Sequence, residues 1–142
     1  MQPNRDHLRI LIAEDDEDDL LLLNRAFREM NFNNPVDTVS NGEQLLHHLR
    51  THTPLPAFVL LDLNMPVKDG RETLIELRAD ETLRHLPVII MSTSSAPHEI
   101  NTLYRLGANS FITKPTTFHD LVNILQTCVT YWLQVVQLPG HP

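Results

Sequence analysis

Residues 10–23, ILIAEDDEDDLLLL, pass from four apolar residues through six consecutive acids into four leucines. A short continuous apolar run is typical of a buried strand. The apolar residues Leu20, Leu23, Phe27 and Met30 have the spacing of one helix face. The stretch therefore predicts a strand that leads directly into a helix. Crowded like charges destabilise a compact chain, so the six acids between the two elements need an explanation of their own.

The same strand-then-helix unit recurs along the chain. Further short strands are predicted at residues 36–40, 57–61, 88–91 and 110–113, and helical patterns occur at residues 43–50, 70–79, 97–106 and 118–136. Continuous apolar strands that alternate with helices are typical of a parallel sheet covered on both faces, with right-handed connections. The predicted fold class is α/β, a doubly wound five-stranded parallel sheet with helices on both faces.

Composition limits the possible classes of protein. The 142 residues suit one domain, which we expect over residues 8–137 between tails at 1–7 and 138–142. The net charge of −7 argues against direct binding to nucleic acid. No apolar run approaches the roughly 18 residues of a membrane span, and no signal peptide is recognisable. The one cysteine, Cys128, excludes an internal disulfide, so we expect a cytoplasmic protein without membrane partners.

Polar residues follow the predicted strands at the points where they end. Glu14 and Asp15 follow the first strand, and Asp62 follows the third. Ser92 follows the fourth strand, and Lys114 follows the fifth. In folds of this class, ligands bind beyond the carboxyl ends of the parallel strands. We therefore expect three carboxylates, a hydroxyl and an ammonium to meet at one edge of the sheet.

This set of groups favours phosphoryl chemistry. Three crowded carboxylates need a cation, and Mg²⁺ is the usual hard cation with oxygen ligands. Lys114 and Ser92 add groups that would hold an anion with several oxygens, such as a phosphoryl group. A carboxylate can itself be the nucleophile and form an aspartyl-phosphate. Asp62, which follows the central strand, is the best candidate for that nucleophile.

Four motifs occur in order: LIAEDD at 11–16, VLLDLNMPVKDG at 59–70, PVIIMSTSS at 87–95 and GANSFITKP at 107–115. With their spacing, they resemble the receiver domain of two-component response regulators of the CheY-like, stand-alone type, over residues 8 to about 136. The resemblance implies the strand order 2-1-3-4-5. It also implies that Asp62 accepts a phosphoryl group from a histidine kinase or a phosphotransfer protein.

The resemblance also implies how Mg²⁺ is held. The ligands would be Asp15, Asp62 and the backbone carbonyl of Asn64, with Glu14 acting through water. Glu14 stands where aspartate is commoner, which changes the reach of the side chain and not its charge. The other four acids, residues 16–19, are expected at the start of the first helix, where negative charge is favourable.

A switch is implied as well. Ser92 corresponds to the switch hydroxyl, Phe111 to the switch aromatic and Lys114 to the phosphate-binding lysine, and the bond before Pro115 resembles the family's cis peptide. The face of helix 4, strand 5 and helix 5 would then change and contact a downstream protein, or a second copy in a homodimer.

Gly70 is interpreted as a residue that permits a backbone turn.

Two other functions remain open at this point. A receiver-shaped interaction module would have the same fold and would never be phosphorylated. A Mg²⁺-dependent phosphatase of the haloacid dehalogenase type would also form an aspartyl-phosphate, but its motif is Asp-x-Asp, and Asn64 occupies the second position here. We expect no conventional small-molecule substrate. The expected chemistry is limited to self-phosphorylation from phosphohistidine and slow hydrolysis.

Overall fold

The structure, a computed structural model, describes residues 5–139; the outer parts of the two predicted tails, residues 1–4 and 140–142, lie outside the described residues. The strands are β1 Ile10–Ala13, β2 Val36–Val39, β3 Phe58–Asp62, β4 Val88–Ser92 and β5 Ser110–Thr113. The helices are α1 Glu17–Glu29, α2 Gly42–Thr51, α3 Gly70–Ala79, α4 Pro97–Leu106 and α5 Phe118–Thr130. None of the helices in this part of the chain has the length and hydrophobicity needed to cross a membrane.

The five strands form one parallel sheet in the order β2-β1-β3-β4-β5, which confirms the predicted fold class and strand order. Ala13 at the end of β1 pairs with Leu61 of β3, and Asp62 pairs with Met91 of β4. The ends of β1 and β3 are therefore neighbours. The order of the strands reverses between β1 and β3, and ligands of such folds bind at the carboxyl edge of the sheet at this point.

Alternate strand residues form two apolar cores, one on each face of the sheet. Leu11 and Leu61 belong to the core beneath α2, α3 and α4. Ile12 and Leu60 belong to the core beneath α1 and α5. Because successive strand side chains point to opposite faces, a continuous apolar strand can supply both cores at once.

The helix ends follow recognisable capping chemistry. The side chains of four residues accept a hydrogen bond from the backbone N–H three positions later: Asp16, Asn41, Asp69 and Thr117. Such caps satisfy backbone donors that have no partner within the helix. Gly107, with φ of 109°, ends α4 in the left-handed conformation that glycine adopts without steric cost.

The last helix differs from the prediction of one regular helix over residues 118–136. The α-helix ends at Thr130 and continues as a π-helix over Tyr131–Val135. The wider turn keeps Leu133 buried in the core beneath α1 and α5. The Arg5 guanidinium donates hydrogen bonds to the carbonyls of Leu133 (3.3 Å) and Val136 (2.9 Å), which supplies partners for this irregular end.

The loop between β3 and α3 contains a strained residue. Val67 has φ of 67°, and the Lys68 N–H donates to the Pro66 carbonyl (2.7 Å) across it, which makes a three-residue turn. A β-branched residue is unfavourable there, by about 1–2 kcal/mol. Val67 is 79% exposed, so removal of its side chain loses few packing contacts.

We expect Val67→Gly to raise the free energy of unfolding by about 0.5–1 kcal/mol, because relief of strain exceeds the entropy that glycine adds to the unfolded chain. Urea denaturation measures the change. Val67→Ala is the control, since it shortens the side chain and keeps the Cβ that causes the strain. A Val67→Gly variant less stable than the wild type would contradict this interpretation.

Candidate functional site

Three carboxylates meet at the carboxyl edge of the sheet. Glu14 follows β1 and is 4% exposed, Asp62 ends β3 and is 7% exposed, and Asp15 is exposed beside them. One oxygen from each of the three side chains lies within 4.8 Å of the other two. The register of β1 against β3 produces this group, because it aligns the ends of the two strands.

Lys114 reaches the same group from the end of β5. Its Nζ lies 2.9 Å from Oε1 of Glu14 and 3.2 Å from Oδ1 of Asp62. It also lies 3.0 Å from Oδ2 of Asp19, in the first turn of α1. The sequence predicted the first two neighbours and assigned Asp19 only to the start of the helix. The ammonium therefore joins three elements that are distant in the chain.

Burial and charge shift the protonation of this group. Burial raises the pKa of the Glu14 carboxyl to about 7; the hydrogen bond from Lys114 opposes this rise, and the charge of Asp62 adds to it. Burial alone would lower the pKa of Lys114, but hydrogen bonds to Glu14 and Asp19 and the charge of Asp62 raise it above its ordinary value. Burial is thus the main cause of the raised pKa of Glu14, and the neighbouring charge of Asp62 is a smaller one.

The chemistry of the donors fits a hard divalent cation. Glu14, Asp15 and Asp62 offer only carboxylate oxygens, which Mg²⁺ prefers, and exposed Asp15 leaves one side open to the waters that Mg²⁺ retains. Asn64 lies exposed in the loop after β3. The ligand role of its backbone carbonyl stays a prediction.

Ser92 is fully buried at the end of β4. Its Oγ accepts a hydrogen bond from the Ser94 N–H (3.1 Å), and its carbonyl accepts one from the Lys114 N–H (2.7 Å). The Thr113 hydroxyl donates to the Ser94 carbonyl (3.2 Å). These bonds hold the loop after β4 against the end of β5. Because a hydroxyl can accept and donate together, Ser92 can still offer its proton to an anion.

Phe111 lies half-buried in β5, at the edge of the sheet, and packs against the core beneath α2, α3 and α4. Its backbone N–H donates to the hydroxyl of Tyr104 on α4 (3.1 Å). The sequence indicated no such role for Tyr104. The contact links α4 to β5 beside the aromatic ring, whose role in a switch stays a prediction.

The cis peptide bond expected before Pro115 is absent. Among the described residues, the cis bond is Thr53–Pro54, and Lys114 precedes Pro115 through a trans bond. The trans isomer is the favoured form of such bonds. The long side chain of Lys114 reaches the acidic group from it.

Gly70 has a different role from the predicted one. It is the first residue of α3, and it does not have a positive φ. A Cβ at this position would lie 2.8 Å from the Asp62 carbonyl oxygen and 2.9 Å from the Leu63 Cα. Both atoms are backbone and cannot rotate away. The absent side chain therefore lets α3 start directly against the residue that carries the central carboxylate.

The sequence pattern of the response regulator receiver domain matches residues 10–126. Response regulator RPA3017, in red light signaling of R. palustris, has a TM-score of 0.88 with this chain at 37% identity, covering 94% of this chain and 99% of that one. The phosphorylated cyanobacterial phytochrome response regulator RcpA has a TM-score of 0.86 at 34% identity, with the same coverage of both chains.

A third similar protein is response regulator Rcp1 of Synechocystis sp. It is 30% identical over 136 residues, covering 92% of this chain and 92% of that protein. The structure of its Mn²⁺-bound form has a TM-score of 0.83 with this chain. The likeness to all three proteins extends along nearly the whole of each chain.

Proposed function

The chain belongs to the response regulator receiver domain family, and on that premise we propose that Asp62 accepts a phosphoryl group from a histidine kinase or a phosphotransfer protein. The observation that supports this proposal is the position of Asp62. Its carboxylate is nearly buried, is grouped with those of Glu14 and Asp15, and lies 3.2 Å from the Lys114 ammonium. The receiver domain in this proposal spans residues 8–137.

The reaction is a direct transfer. A carboxylate oxygen of Asp62 attacks the phosphorus of phosphohistidine, and the P–O bond forms as the P–N bond breaks. The ring leaves as neutral imidazole, because its other nitrogen carries a proton and the electron pair of the P–N bond stays on the first. Lys114 and Ser92 bind the phosphoryl oxygens. Mg²⁺, held by Asp15, Asp62 and the Asn64 carbonyl with Glu14 through water, would supply positive charge against those oxygens. Slow hydrolysis of the acyl phosphate returns the protein to its starting form.

The new group changes the charge of the pocket. It adds up to about two negative charges and three acceptor oxygens. Ser92 and Lys114 are drawn towards it, and Phe111 turns inward as the loop after β4 moves. The face of α4, β5 and α5 is then altered, and it contacts a downstream protein or a second copy of the chain. The similarity to a phytochrome response regulator makes a phytochrome the first upstream partner to test.

The proposal is tested by incubation with phosphoramidate and Mg²⁺, followed by intact-mass spectrometry. We expect a gain of one phosphoryl group that requires Mg²⁺ and disappears when a chelator is added before the phosphodonor. A chain that gains no mass under these conditions would support an interaction module that is never phosphorylated. Turnover of small phosphate esters would support a phosphatase instead.

Mg²⁺ itself is expected to stabilise the folded protein. It binds the acidic group that only the folded chain assembles, so the gain is about 2.7 kcal/mol at a concentration 100-fold above the dissociation constant. Thermal unfolding with and without Mg²⁺ measures it. Asp15→Asn removes an exposed ligand and abolishes most of the shift, whereas Asp18→Asn, an exposed acid of α1, preserves it. Equal shifts in both variants would refute the assigned site.

A further inference from the structure

The Lys114 ammonium contacts Asp19 as well as Glu14 and Asp62, two of the three acids at the carboxyl edge of the sheet. The three distances from Nζ are 2.9 Å to Glu14, 3.0 Å to Asp19 and 3.2 Å to Asp62. An ammonium has three N–H donors; Lys114 uses two of them in hydrogen bonds to Glu14 and Asp19, and its contact with Asp62 is an ion pair. The contact to Asp62 is the longest of the three.

Because two of its N–H donors are used for Glu14 and Asp19, Lys114 must give up one of these two carboxylates if it is to donate to more than one oxygen of a phosphoryl group on Asp62. The side chain of Glu14 is 3% exposed, and its second oxygen already accepts the Asp16 N–H (3.2 Å). The side chain of Asp19 is 41% exposed. A buried carboxylate that loses its partner is strongly destabilised, whereas a half-exposed one returns to water. Asp19 is therefore the partner that Lys114 gives up.

Building on the proposed function, we propose that Asp19 is a positioning residue that competes with the phosphoryl group for Lys114. In the unphosphorylated protein, Asp19 holds the ammonium towards α1. In the phosphorylated protein, Lys114 has left Asp19 for the phosphoryl oxygens. Asp19 thus slows phosphorylation, because the ion pair must break before the transition state is fully stabilised. It does not affect hydrolysis, because the pair is already broken when hydrolysis begins.

The two rates separate this role from a general effect of charge. With phosphoramidate and Mg²⁺, we expect Asp19→Asn to raise the phosphorylation rate about three- to fivefold, the size of a partly exposed ion pair. The hydrolysis rate is expected to stay at the wild-type value. Asp18→Asn is the matched control, since it removes the same charge from the same helical turn at an exposed position. It should leave both rates close to the wild-type values.

A second measurement observes the ion pair directly. The chain contains two lysines, Lys68 and Lys114, so ¹⁵N-lysine labelling gives two side-chain NMR signals. Asp19→Asn should shift the Lys114 Nζ signal and speed the exchange of its protons with water. The Lys68 signal should not change, because Lys68 pairs with Glu43 and Glu76 instead.

The outcomes distinguish this proposal from the function on which it rests. A wild-type chain that is never phosphorylated overturns both. If the wild type is phosphorylated and Asp19→Asn reacts no faster than Asp18→Asn, only the competition for Lys114 is overturned. A slower Asp19→Asn variant would overturn it too, since Asp19 would then orient Lys114 for the reaction.

Discussion

Asp62→Asn is expected to abolish the gain of a phosphoryl group completely. The amide has the same size as the carboxylate but has no anionic oxygen with which to attack phosphorus. Asp62 is 7% exposed and is one of three neighbouring acids, so its neutralisation relieves crowding and should not unfold the protein. Intact mass after incubation with phosphoramidate and Mg²⁺ measures the loss.

Asp18→Asn serves as the control for the loss of one negative charge, and we expect it to gain the phosphoryl group as the wild type does. Circular dichroism spectra should show that both variants fold. If Asp62→Asn were labelled at the wild-type rate, the phosphoryl group would be on another residue, and the role assigned to Asp62 would be wrong.

The meeting of the acidic group with Lys114 could be predicted from the sequence for a simple geometrical reason. The alternation of apolar runs and helical patterns predicts a parallel sheet, and all strands of such a sheet end at the same edge. Residues that directly follow strands, such as Glu14, Asp62 and Lys114, are therefore neighbours whatever their separation in the chain. The same rule places Ser92 at that edge.

Contacts that depend on the rotation and fit of helices could not be predicted in this way. The acidic run supplies four carboxylates to the start of α1, and only the packed orientation of the helix decides that Asp19 faces Lys114. The π-helix after Thr130, in which Leu133 is buried and accepts a hydrogen bond from Arg5, is a second such feature. Neither feature has a signal in the local sequence.

Arg78 illustrates the same limit. In the sequence it is an ordinary polar residue of α3. In the structure its guanidinium donates to the carbonyls of Gly107, Arg84 and Leu86 and to the side chain of Asn109, at 2.9–3.0 Å. These acceptors come from the loop before β4 and from the loop between α4 and β5, so Arg78 connects the end of α4 to the body of the domain. Such a role appears only once the loops are folded.

Gly70→Ala is expected to destabilise the protein by about 3 kcal/mol, the upper part of the range for overpacking. Alanine normally stabilises a helix relative to glycine by about 1 kcal/mol, so a loss of stability would show that close approach decides the residue here. The added Cβ would meet the Asp62 carbonyl oxygen at 2.8 Å and the Leu63 Cα at 2.9 Å, and one of the two backbones must move. Urea denaturation measures the change.

The backbone that the new Cβ would meet belongs to Asp62 and Leu63, so we expect an effect on the site beyond the loss of stability. At a temperature where Gly70→Ala remains folded, we expect slower phosphorylation and weaker Mg²⁺ binding than in the wild type. Glu72→Ala is the control, because it changes an exposed residue in the first turn of the same helix and should alter neither rate nor binding. A Gly70→Ala protein as stable as the wild type would mean that α3 can move away from Asp62 without cost, and the close approach would not be required.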